Sequence, residues 1–309
     1  VSTHWLYKQL DHPRLVIIDV RSDDLYAANH IPGAISINGS RWITNPPFGL
    51  DVPWMELPDA DYLFNLLGSH GIRANSKVVV VGSTSGPLTV PPIGLYNIAD
   101  ITRVAMTLVY AGVNHVGILD GGYEAWESDG YPVTQELPVM TPVPFNGRVK
   151  ESMIVDTEYV ESRLGKAILV DARDAIVYSG VVVEPWPPNP TPGHIPGAKN
   201  LPAPLLWSLE TNEDGTWLYS AKYYDIAILR EMASQIVGRS RGGWHWCCWH
   251  RCDREIIVYC GVGGYASTVF FVLSEVLGYR NVRVYDGSWQ AWTSSGELPV
   301  EPPLDMVGT

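Results

Sequence analysis

The sequence predicts an α/β fold of two tandem domains, each with a mostly parallel sheet covered by helices on both faces. The first observation behind this prediction is a repeat, because four blocks of residues recur in the same order in both halves of the 309-residue chain. The second is that short β-branched apolar runs, typical of strands buried on both faces, alternate with helical patterns. The matched blocks are 15–21 and 168–173, 30–34 and 194–198, 77–82 and 255–260, and 120–126 and 286–292.

The elements of this fold follow from the repeat in chain order. The apolar runs within the matched blocks are predicted to be fully buried parallel strands. Helices are predicted between them over residues 58–68, 101–111, 157–164 and 221–237. Glycines follow helical stretches where a left-handed C-cap is expected, at Gly112, Gly130, Gly278 and Gly296.

The domain boundaries and the difference between the two copies can also be predicted. Segment 136–150 contains three prolines and is predicted to be a linker, which leaves one domain over 1–135 and a second over 151–309. The first copy has Gly82 where the second has Cys260. We therefore expect the first domain to be catalytically silent and to contribute an interface to the second.

Composition narrows the classes of function. The chain is 46% hydrophobic and has a net charge of −12, so it can bury two cores, and nucleic acid or an anionic membrane is not expected as its main partner. No apolar run reaches the roughly 20 residues that span a bilayer. Four cysteines are too few for a disulfide scaffold of this size. The chain begins with Val, so a removed signal peptide is compatible with it, and both cytoplasmic and extracytoplasmic locations stay open.

Cys260 ends an apolar run and is followed by a glycine-rich turn and a helical stretch, which is the pattern of a reactive thiol. Glycine adopts the positive φ angles that direct successive N–H groups to one point, and a helix N-terminus adds partial positive charge there. Both effects favour the thiolate, so we expect a thiol pKa below its usual value. The alternative is a buried core cysteine at the end of a strand.

These motifs together resemble the tandem-domain rhodaneses, the thiosulfate and 3-mercaptopyruvate sulfurtransferase family. The resemblance runs from residues 1–6 to residues 285–289. In that family the first domain is silent, and the loop cysteine of the second holds a sulfane sulfur as a persulfide without a metal or cofactor. The resemblance therefore implies that Cys260 is the catalytic residue. The persulfide-binding loop that it implies consists of Gly261, Val262, Gly263, Gly264, Tyr265 and Ala266.

The chemistry implied by the resemblance is physically consistent with this loop. A ring of backbone N–H donors stabilises both the thiolate and the anionic persulfide. Covalent transfer divides the reaction into two half-reactions, so we expect ping-pong kinetics. The expected partners are a small-molecule or protein persulfide as sulfur donor and a thiol as acceptor. The alternative function is a noncatalytic sulfur carrier or protein-docking module with the same fold.

The positions that bind the donor in the family differ in this chain. Family members that use thiosulfate usually have basic residues in the loop, and those that use mercaptopyruvate have Gly-Ser-Gly, whereas residues 261–263 are Gly-Val-Gly. Val177 and Trp186 replace two arginines that grip the donor, and Asn38 and Met55 replace an Asp and a His of the first domain. Each lost charge-assisted contact costs about 1.5–3 kcal/mol, or roughly 10- to 150-fold in affinity. We therefore expect polysulfide, glutathione persulfide or a protein persulfide to be a better donor than thiosulfate or mercaptopyruvate.

Three polar residues are predicted to support the site. Asp171 and Arg173 are interpreted as a structural ion pair under the sheet rather than a catalytic pair. His194 precedes Ile-Pro-Gly, as His30 does in the first domain. Both histidines are interpreted as hydrogen-bonding partners that hold a turn, rather than as metal ligands or bases.

Residues 239–254 form an insertion relative to the family, placed just before the catalytic strand. Three interpretations of their chemistry are open: a Zn²⁺ or Cu(I) site, a disulfide from Cys252 to Cys247 or Cys248, and a relay of thiols that accept sulfur from Cys260. The spacing matches no zinc ribbon or finger and lacks the Cys-x-x-Cys-His run of haem attachment, so no metal is the expectation and the possible ligands stay candidates. The remaining interpretation is a surface loop whose tryptophans pack on the domain or on a protein partner. The candidate ligands are Cys247, Cys248, Cys252, His245 and His250, and the tryptophans are Trp244, Trp246 and Trp249.

Overall fold

The structure is a computed structural model, and it describes residues 1–44, 55–87, 96–184, 190–211, 218–238 and 254–301. Within these ranges the chain forms three sheets, of which two are parallel and one is antiparallel. The two parallel sheets belong one to each half of the chain, as the repeat predicts.

The first domain has a four-stranded parallel sheet with helices packed on it. Its strands are β1 (Leu15–Asp19), β2 (Ala34–Ser36), β3 (Lys77–Val81), β4 (Ser85–Pro87) and β5 (His115–Ile118). Its helices are α1 (Thr3–Gln9), α2 (Asp23–Ala28), α3 (Ala60–Ser69), α4 (Tyr96–Tyr110) and α5 (Gly122–Ser128), with a 3₁₀ turn at Gly39–Trp42. The sheet order is β2-β1-β3-β5, and β4 lies outside this sheet.

The second domain has a five-stranded parallel sheet. The strands of this domain are β6 (Ile154–Val155), β7 (Ile168–Asp171), β8 (Lys199–Asn200), β9 (Trp207–Thr211), β10 (Leu218–Tyr223), β11 (Ile256–Tyr259) and β12 (Val282–Tyr285). Of these, β9 and β10 lie outside the parallel sheet and form the antiparallel sheet with β4. Its helices are α6 (Thr157–Ser162), α7 (Ala175–Tyr178), α8 (Ile226–Val237), α9 (Gly264–Phe271) and α10 (Ser288–Ser294). Two 3₁₀ turns (Glu151–Met153 and Ala203–Leu206) and a π-helical turn (Val272–Val276) complete it.

The two parallel sheets share one topology. The order β8-β7-β11-β12 in the second domain repeats the order β2-β1-β3-β5 in the first, and β6 adds an edge strand beside β12. The strand that ends at Cys260 is therefore central, as is the strand that ends before Gly82. The prediction of two tandem α/β domains is confirmed.

Most predicted helices are present, with one difference. Residues 221–225 were expected to begin a helix, but residues 221–223 continue β10, and α8 starts only at Ile226. The reason is tertiary, because β10 pairs with β9 and with β4 of the first domain. The four glycines expected at helix C-termini all have positive φ angles, between 69° and 92°.

The two domains are joined along helices α4 and α9, which pack against each other. At their contact the hydroxyl groups of Thr102 and Thr268 are hydrogen-bonded, with 2.7 Å between the oxygens. An aspartate carboxylate of each domain also accepts a hydrogen bond from a backbone N–H of the other domain. The N–H of Leu57 donates to Asp286 (2.7 Å), and the N–H of Tyr223 donates to Asp120 (2.9 Å). Apolar side chains of α4, including Ile98 and Met106, are part of the core of the second domain.

The segment 136–150 contains no helix or strand. Part of it lies along the first domain, because the N–H of Val143 donates to the carbonyl of Gly68 and that of Lys150 to the carbonyl of Tyr110. The domain limits at residues 135 and 151 remain predictions. None of the helices within the described ranges is both long enough and apolar enough to cross a membrane.

Candidate active site

The predicted supporting ion pair occurs in both domains with the same geometry. Arg173 donates to Asp171 through Nε (3.0 Å) and Nη2 (2.6 Å), and Nη2 also reaches the carbonyl oxygen of Gly193. Arg21 makes the same fork with Asp19, at 3.0 and 2.7 Å. All four side chains are buried. Because the pair is equally formed in the domain that has no cysteine, its geometry supports a structural role.

The two histidines also occupy matched positions. His194 Nδ1 lies 3.0 Å from the carbonyl oxygen of Tyr178, and its ring stacks on the Tyr178 ring with 3.9 Å between centroids. His30 lies 2.8 Å from the carbonyl oxygen of Tyr26 and stacks on that ring at the same distance. Each histidine also pairs in an isolated bridge with the segment that ends its domain. These contacts support the interpretation that both histidines hold a turn.

Cys260 lies at the carboxyl end of β11 and is a free, buried thiol with 2% exposure. The backbone N–H of Gly263 donates to its Sγ over 3.0 Å, and the N–H groups of Val262 and Ala266 also interact with it. Gly263 has φ 91° and ψ −17°, which is the left-handed conformation that glycine favours. Three N–H groups therefore converge on one sulfur, as expected for an anion cradle. The structure also buries Gly264 and Tyr265, the remaining predicted loop residues that begin α9.

A second segment holds this loop in place. The Oγ of Ser288 accepts the backbone N–H of Cys260 over 3.2 Å. The N–H of Trp289 donates to the Cys260 carbonyl (2.9 Å), and that of Gln290 to the Gly261 carbonyl (3.1 Å). Ser288 has φ 53°, a conformation that is rare for residues other than glycine. The repeat located this segment at the sequence level, but nothing in the pattern indicated that it supports the cysteine.

The protonation of Cys260 differs from the expectation. Burial raises the pKa of the thiol, the N–H groups of the cradle lower it, and the negative charge of Glu184 raises it further. The net direction is upward, so the expected lowering of the pKa is wrong for the unmodified thiol in this buried position. The carboxylate of Glu184 packs against the loop, since a Cβ atom built on Gly261 would lie 2.5 Å from its Oε2. Its Oε2 lies 3.8 Å from Arg173 Nη1.

The first domain also reaches the catalytic loop. Arg103 on α4 donates through Nη1 to Asp286 (2.5 Å) and through Nη2 to the carbonyl of Met55 (2.8 Å). A Cβ atom built on Gly263 would lie 2.5 Å from that Nη1, so the guanidinium group lies directly behind the glycine. Glu56 lies nearby, and its pKa is raised to about 7 by burial and by the charge of Asp286, against an opposing effect of Arg103.

The matched site of the first domain is filled. A Cβ atom built on Gly82 would lie 2.5 Å from the Ile101 side chain, so the structure leaves no room for a cysteine there. The loop that follows Gly82 is occupied by the carboxylate of Glu124. This carboxylate accepts hydrogen bonds from the hydroxyl group of Ser83, from the N–H of Thr84 at 2.9 Å and from the hydroxyl group of Ser85 at 2.9 Å. An internal anion thus lies where the second domain has its thiol cradle.

Several predicted site residues lie away from this cradle or outside the described residues. Val177 is buried in α7 with 2% exposure, and Asn38 caps the 3₁₀ turn of the first domain by accepting the N–H of Ser40. Met55 contributes its carbonyl oxygen to Arg103. Trp186 and residues 239–253, with all five candidate metal ligands of the insertion, lie outside the described residues. Over the ranges that the structure describes, no cluster of His, Cys, Asp or Glu side chains could hold a metal.

Comparison with known families gives one match that spans both domains. The family model described as "Rhodanese-like domain" matches residues 2–129 and residues 156–295. The two matched regions correspond to the two halves of the repeat.

Curated proteins are similar to the chain over almost its full length. The protein named "Putative thiosulfate sulfurtransferase" from Synechococcus elongatus is 30% identical over 99% of this chain and 86% of its own. The "Sulfur carrier protein TtuD" of Thermus thermophilus is 27% identical over 97% of this chain and 95% of its own.

Solved structures share the fold at lower identity. The anaerobic ergothioneine biosynthesis enzyme from Chlorobium limicola, in complex with trimethyl histidine described as its natural substrate, superimposes with a TM-score of 0.75. It is 22% identical, and the match covers 98% of this chain and 70% of that one. A structure of EanB with a cysteine persulfide, described as a tetrahedral intermediate state with ergothioneine, matches with the same TM-score, identity and coverage.

Proposed function

The chain belongs to the rhodanese-like family and is a sulfurtransferase, and on this premise we propose that Cys260 carries a sulfane sulfur, as a persulfide, from a donor to a thiophilic acceptor. The observation that best supports this proposal is the convergence of three backbone N–H groups on the sulfur of Cys260 at the end of a central strand. Such a cradle stabilises an anionic sulfur without a metal.

In the loading step, the thiolate of Cys260 attacks a sulfane sulfur of the donor. A bond forms between Sγ and that sulfur, the sulfur–sulfur bond of the donor breaks, and the leaving group takes the electron pair. The N–H groups of Val262, Gly263 and Ala266 are placed to stabilise both the attacking thiolate and the terminal sulfur of the product. Because burial raises the pKa of the free thiol, the cradle has to offset a desolvation cost before the thiolate can form.

In the unloading step, a nucleophile attacks the terminal sulfur of the persulfide. The bond from Sγ to the sulfane sulfur breaks, and Cys260 leaves as the thiolate that the cradle stabilises. Cyanide would leave as thiocyanate, and a thiol would leave as a persulfide. Two separate half-reactions on one covalent intermediate give ping-pong kinetics.

The donor that fits this site is a polysulfide, glutathione persulfide or a protein persulfide. Residues 261–263 provide no side-chain charge or hydroxyl group, and Val177 is a buried apolar residue where the family has an arginine. Two lost charge-assisted contacts would each weaken binding of a small anion by roughly 10-fold or more. Thiosulfate and mercaptopyruvate are therefore the weaker donors in this proposal.

The first domain acts as a scaffold in the proposed function. Its own cradle is filled by Glu124, and Ile101 takes the space of a cysteine side chain at Gly82. Next to the catalytic loop, Arg103 and the N–H of Leu57 from this domain both contact Asp286.

The test is intact mass spectrometry of the protein and of its Cys260→Ser variant after incubation with polysulfide, thiosulfate or mercaptopyruvate. A mass increase of one sulfur atom that needs Cys260 and that cyanide reverses is the expected result. Equal loading by thiosulfate and polysulfide would contradict the proposed donor preference. No adduct with any donor would contradict the persulfide itself.

A second candidate function is a stoichiometric sulfur carrier, which is favoured by the relative named as a sulfur carrier protein. The two functions differ in turnover. An enzyme transfers many sulfur atoms per thiol to a small acceptor, whereas a carrier passes one sulfur to a docked protein and turns over slowly with small thiols. The tryptophan-rich insertion is the proposed docking segment. Its deletion over residues 242–252 tests that role, because it removes no residue of the loop 261–266.

A further inference from the structure

Ser288 is held in a backbone conformation that disfavours serine. It is fully buried at the start of α10 and has φ 53°, in the left-handed region that glycine adopts readily and that costs other residues free energy. The matched residue of the first domain, Gly122, has the same conformation, with φ 61°. The fold therefore places a left-handed residue here in both domains, but the domain with the thiol has a side chain on it.

The first domain has no space for a side chain at this position. A Cβ atom built on Gly122 would lie 2.5 Å from the carbonyl oxygen of Gly82 and 2.8 Å from Thr84 Cγ2. In the second domain these two positions are Cys260 and Val262, and the Ser288 side chain packs there with no exposed surface. The strained serine is therefore a feature of the copy that has the nucleophile.

The Ser288 hydroxyl group connects two neighbouring strand ends. Its Oγ donates to the carbonyl oxygen of Tyr285, the last residue of β12, over 2.9 Å, and it accepts the N–H of Cys260, directly after β11, over 3.2 Å. The next residue, Trp289, donates its N–H to the carbonyl oxygen of Cys260 over 2.9 Å. The peptide groups on both sides of the cysteine are therefore held by one two-residue segment.

The orientation of these two peptide groups determines where the cysteine side chain points. The direction of the Cα–Cβ bond of Cys260 follows from its backbone, and Sγ lies 3.0 Å from the N–H nitrogen of Gly263. Hydrogen bonds weaken steeply when the donor and acceptor lose alignment, so a rotation of the cysteine would weaken the cradle. Backbone strain that persists beside a reactive atom is typical of a functional site.

We propose that Ser288 is a positioning residue for Cys260, whose hydroxyl group holds the cysteine so that Sγ meets the N–H groups of the loop. This inference rests on the proposed function and deepens it. It predicts that sulfur loading depends on the hydroxyl group, whereas stability depends on the backbone strain as well. Substitutions of Ser288 should therefore change loading and stability separately.

Two variants separate the hydroxyl group from the strain. Ser288→Ala and Ser288→Gly both lack the hydroxyl group, but the alanine variant keeps the strained backbone and the glycine variant relieves it. Ser288→Gly should therefore unfold roughly 2–4 °C higher than Ser288→Ala, the reverse of the usual order of these residues in a helix. Loading by polysulfide, followed by intact mass spectrometry, should be slower in both variants, by about 10- to 100-fold for a misplaced nucleophile.

Thr293→Val is the control for the loss of a buried hydroxyl group from the same helix. Thr293 is 4% exposed, and its Oγ1 donates to the carbonyl oxygen of Trp289 over 2.9 Å. We expect this variant to lose stability and to load at the wild-type rate.

The pH dependence of alkylation tests the same role without any persulfide. The N–H groups of the cradle lower the pKa of the Cys260 thiol, so poorer alignment of these groups should leave that pKa higher. The midpoint of alkylation by iodoacetamide should therefore move to higher pH in both Ser288 variants. It should not move in Thr293→Val.

Wild-type loading and a wild-type alkylation midpoint in Ser288→Gly would overturn the inference. A loss of loading that follows the unfolding temperature across the three variants would also overturn it, because the hydroxyl group would then act through stability alone. Failure of the wild-type protein to load would contradict the persulfide chemistry instead. The alkylation midpoints would still decide whether Ser288 positions the thiol.

Discussion

Thr102 and Thr268 occupy the same position in the two repeats and hydrogen-bond to each other across the domain interface, with 2.7 Å between their oxygens. Both hydroxyl groups are fully buried. Thr268 lies on α9, which starts within the catalytic loop, and Thr102 lies on α4, which also carries Arg103. The pair therefore connects the silent domain to the helix that begins at the thiol cradle.

We predict that Thr102→Val destabilises the protein more than Thr268→Val does. The Thr102 hydroxyl group has other acceptors within hydrogen-bond distance, the carbonyls of Ile98 and Ala99. For the Thr268 hydroxyl group, the partner within the described residues is Thr102. Replacing Thr102 leaves a buried hydroxyl group unpaired, at a cost of about 1–3 kcal/mol. Urea unfolding measures both variants, and the double Val variant should recover part of the loss. Equal costs would contradict this account.

We predict that Gly263→Ala removes most sulfur loading and destabilises the fold. Gly263 has φ 91°, and a Cβ atom there would lie 2.5 Å from Arg103 Nη1, so the N–H that faces Sγ has to move. The left-handed backbone alone costs about 1–2 kcal/mol for an L-residue. Gly165→Ala is the matched control, because Gly165 also has a positive φ but no atom within 4 Å of the added carbon. Loading by polysulfide should be normal in Gly165→Ala and lost in Gly263→Ala.

We predict that Arg103→Met destabilises the protein by about 3–5 kcal/mol. This is the usual cost of removing one partner of a buried ion pair, because the other charge is left buried and uncompensated. Among the residues that the structure describes, Asp286 would keep the N–H of Leu57 as its hydrogen-bond donor, and Gly263 would lose the group that packs behind it. The stability of Arg103→Lys should lie between those of the wild type and Arg103→Met. A single ammonium group cannot reach both Asp286 and the Met55 carbonyl in the forked geometry. Unfolding is measured together with the loading rate of the folded variant. Normal loading in stable Arg103→Met protein would exclude a positioning role.

We predict that the alkylation of Cys260 by neutral iodoacetamide has a midpoint at higher pH than that of a free cysteine. Burial raises the pKa of this thiol, so the reactive thiolate forms only as the pH rises through that higher value. Glu184→Gln should lower the midpoint, because a nearby negative charge disfavours the thiolate. Glu297→Gln is the control for a loss of charge at the surface. A midpoint below that of free cysteine would restore the expectation drawn from the sequence.

The fold was predictable because the residues that recur in the two halves of the chain are those that form strands and turns. The blocks around Asp19 and Asp171 specify the same strand, and each histidine before Ile-Pro-Gly specifies the same turn. Cys260 was predictable for a similar reason, since a thiol followed by glycines and a helix is a local pattern. The direction of its pKa was not predictable, because burial depends on how both domains close over the loop.

The residues that the sequence did not indicate all act across long separations. Arg103 and Asp286 are 183 positions apart, and Leu57 and Asp286 are 229 positions apart. The strand at 218–223 exists because it pairs with another strand of its own domain and with β4 of the other, so local helical periodicity was misleading there. Glu184 lies in a segment without a helix or strand pattern, and only the folded loop brings its carboxylate to Gly261.

The contact between matched threonines has a consequence for the history of the chain. In a two-fold symmetric dimer, a residue near the axis meets its own copy, and every other contact occurs twice. Thr102 with Thr268 fits the first condition, and the paired hydrogen bonds from Leu57 to Asp286 and from Tyr223 to Asp120 fit the second. This is the arrangement that a homodimer of a one-domain ancestor retains after gene duplication and fusion. The interface between the two domains therefore has the symmetry of a homodimer, although the thiol cradle is present on one side of it and a filled site on the other.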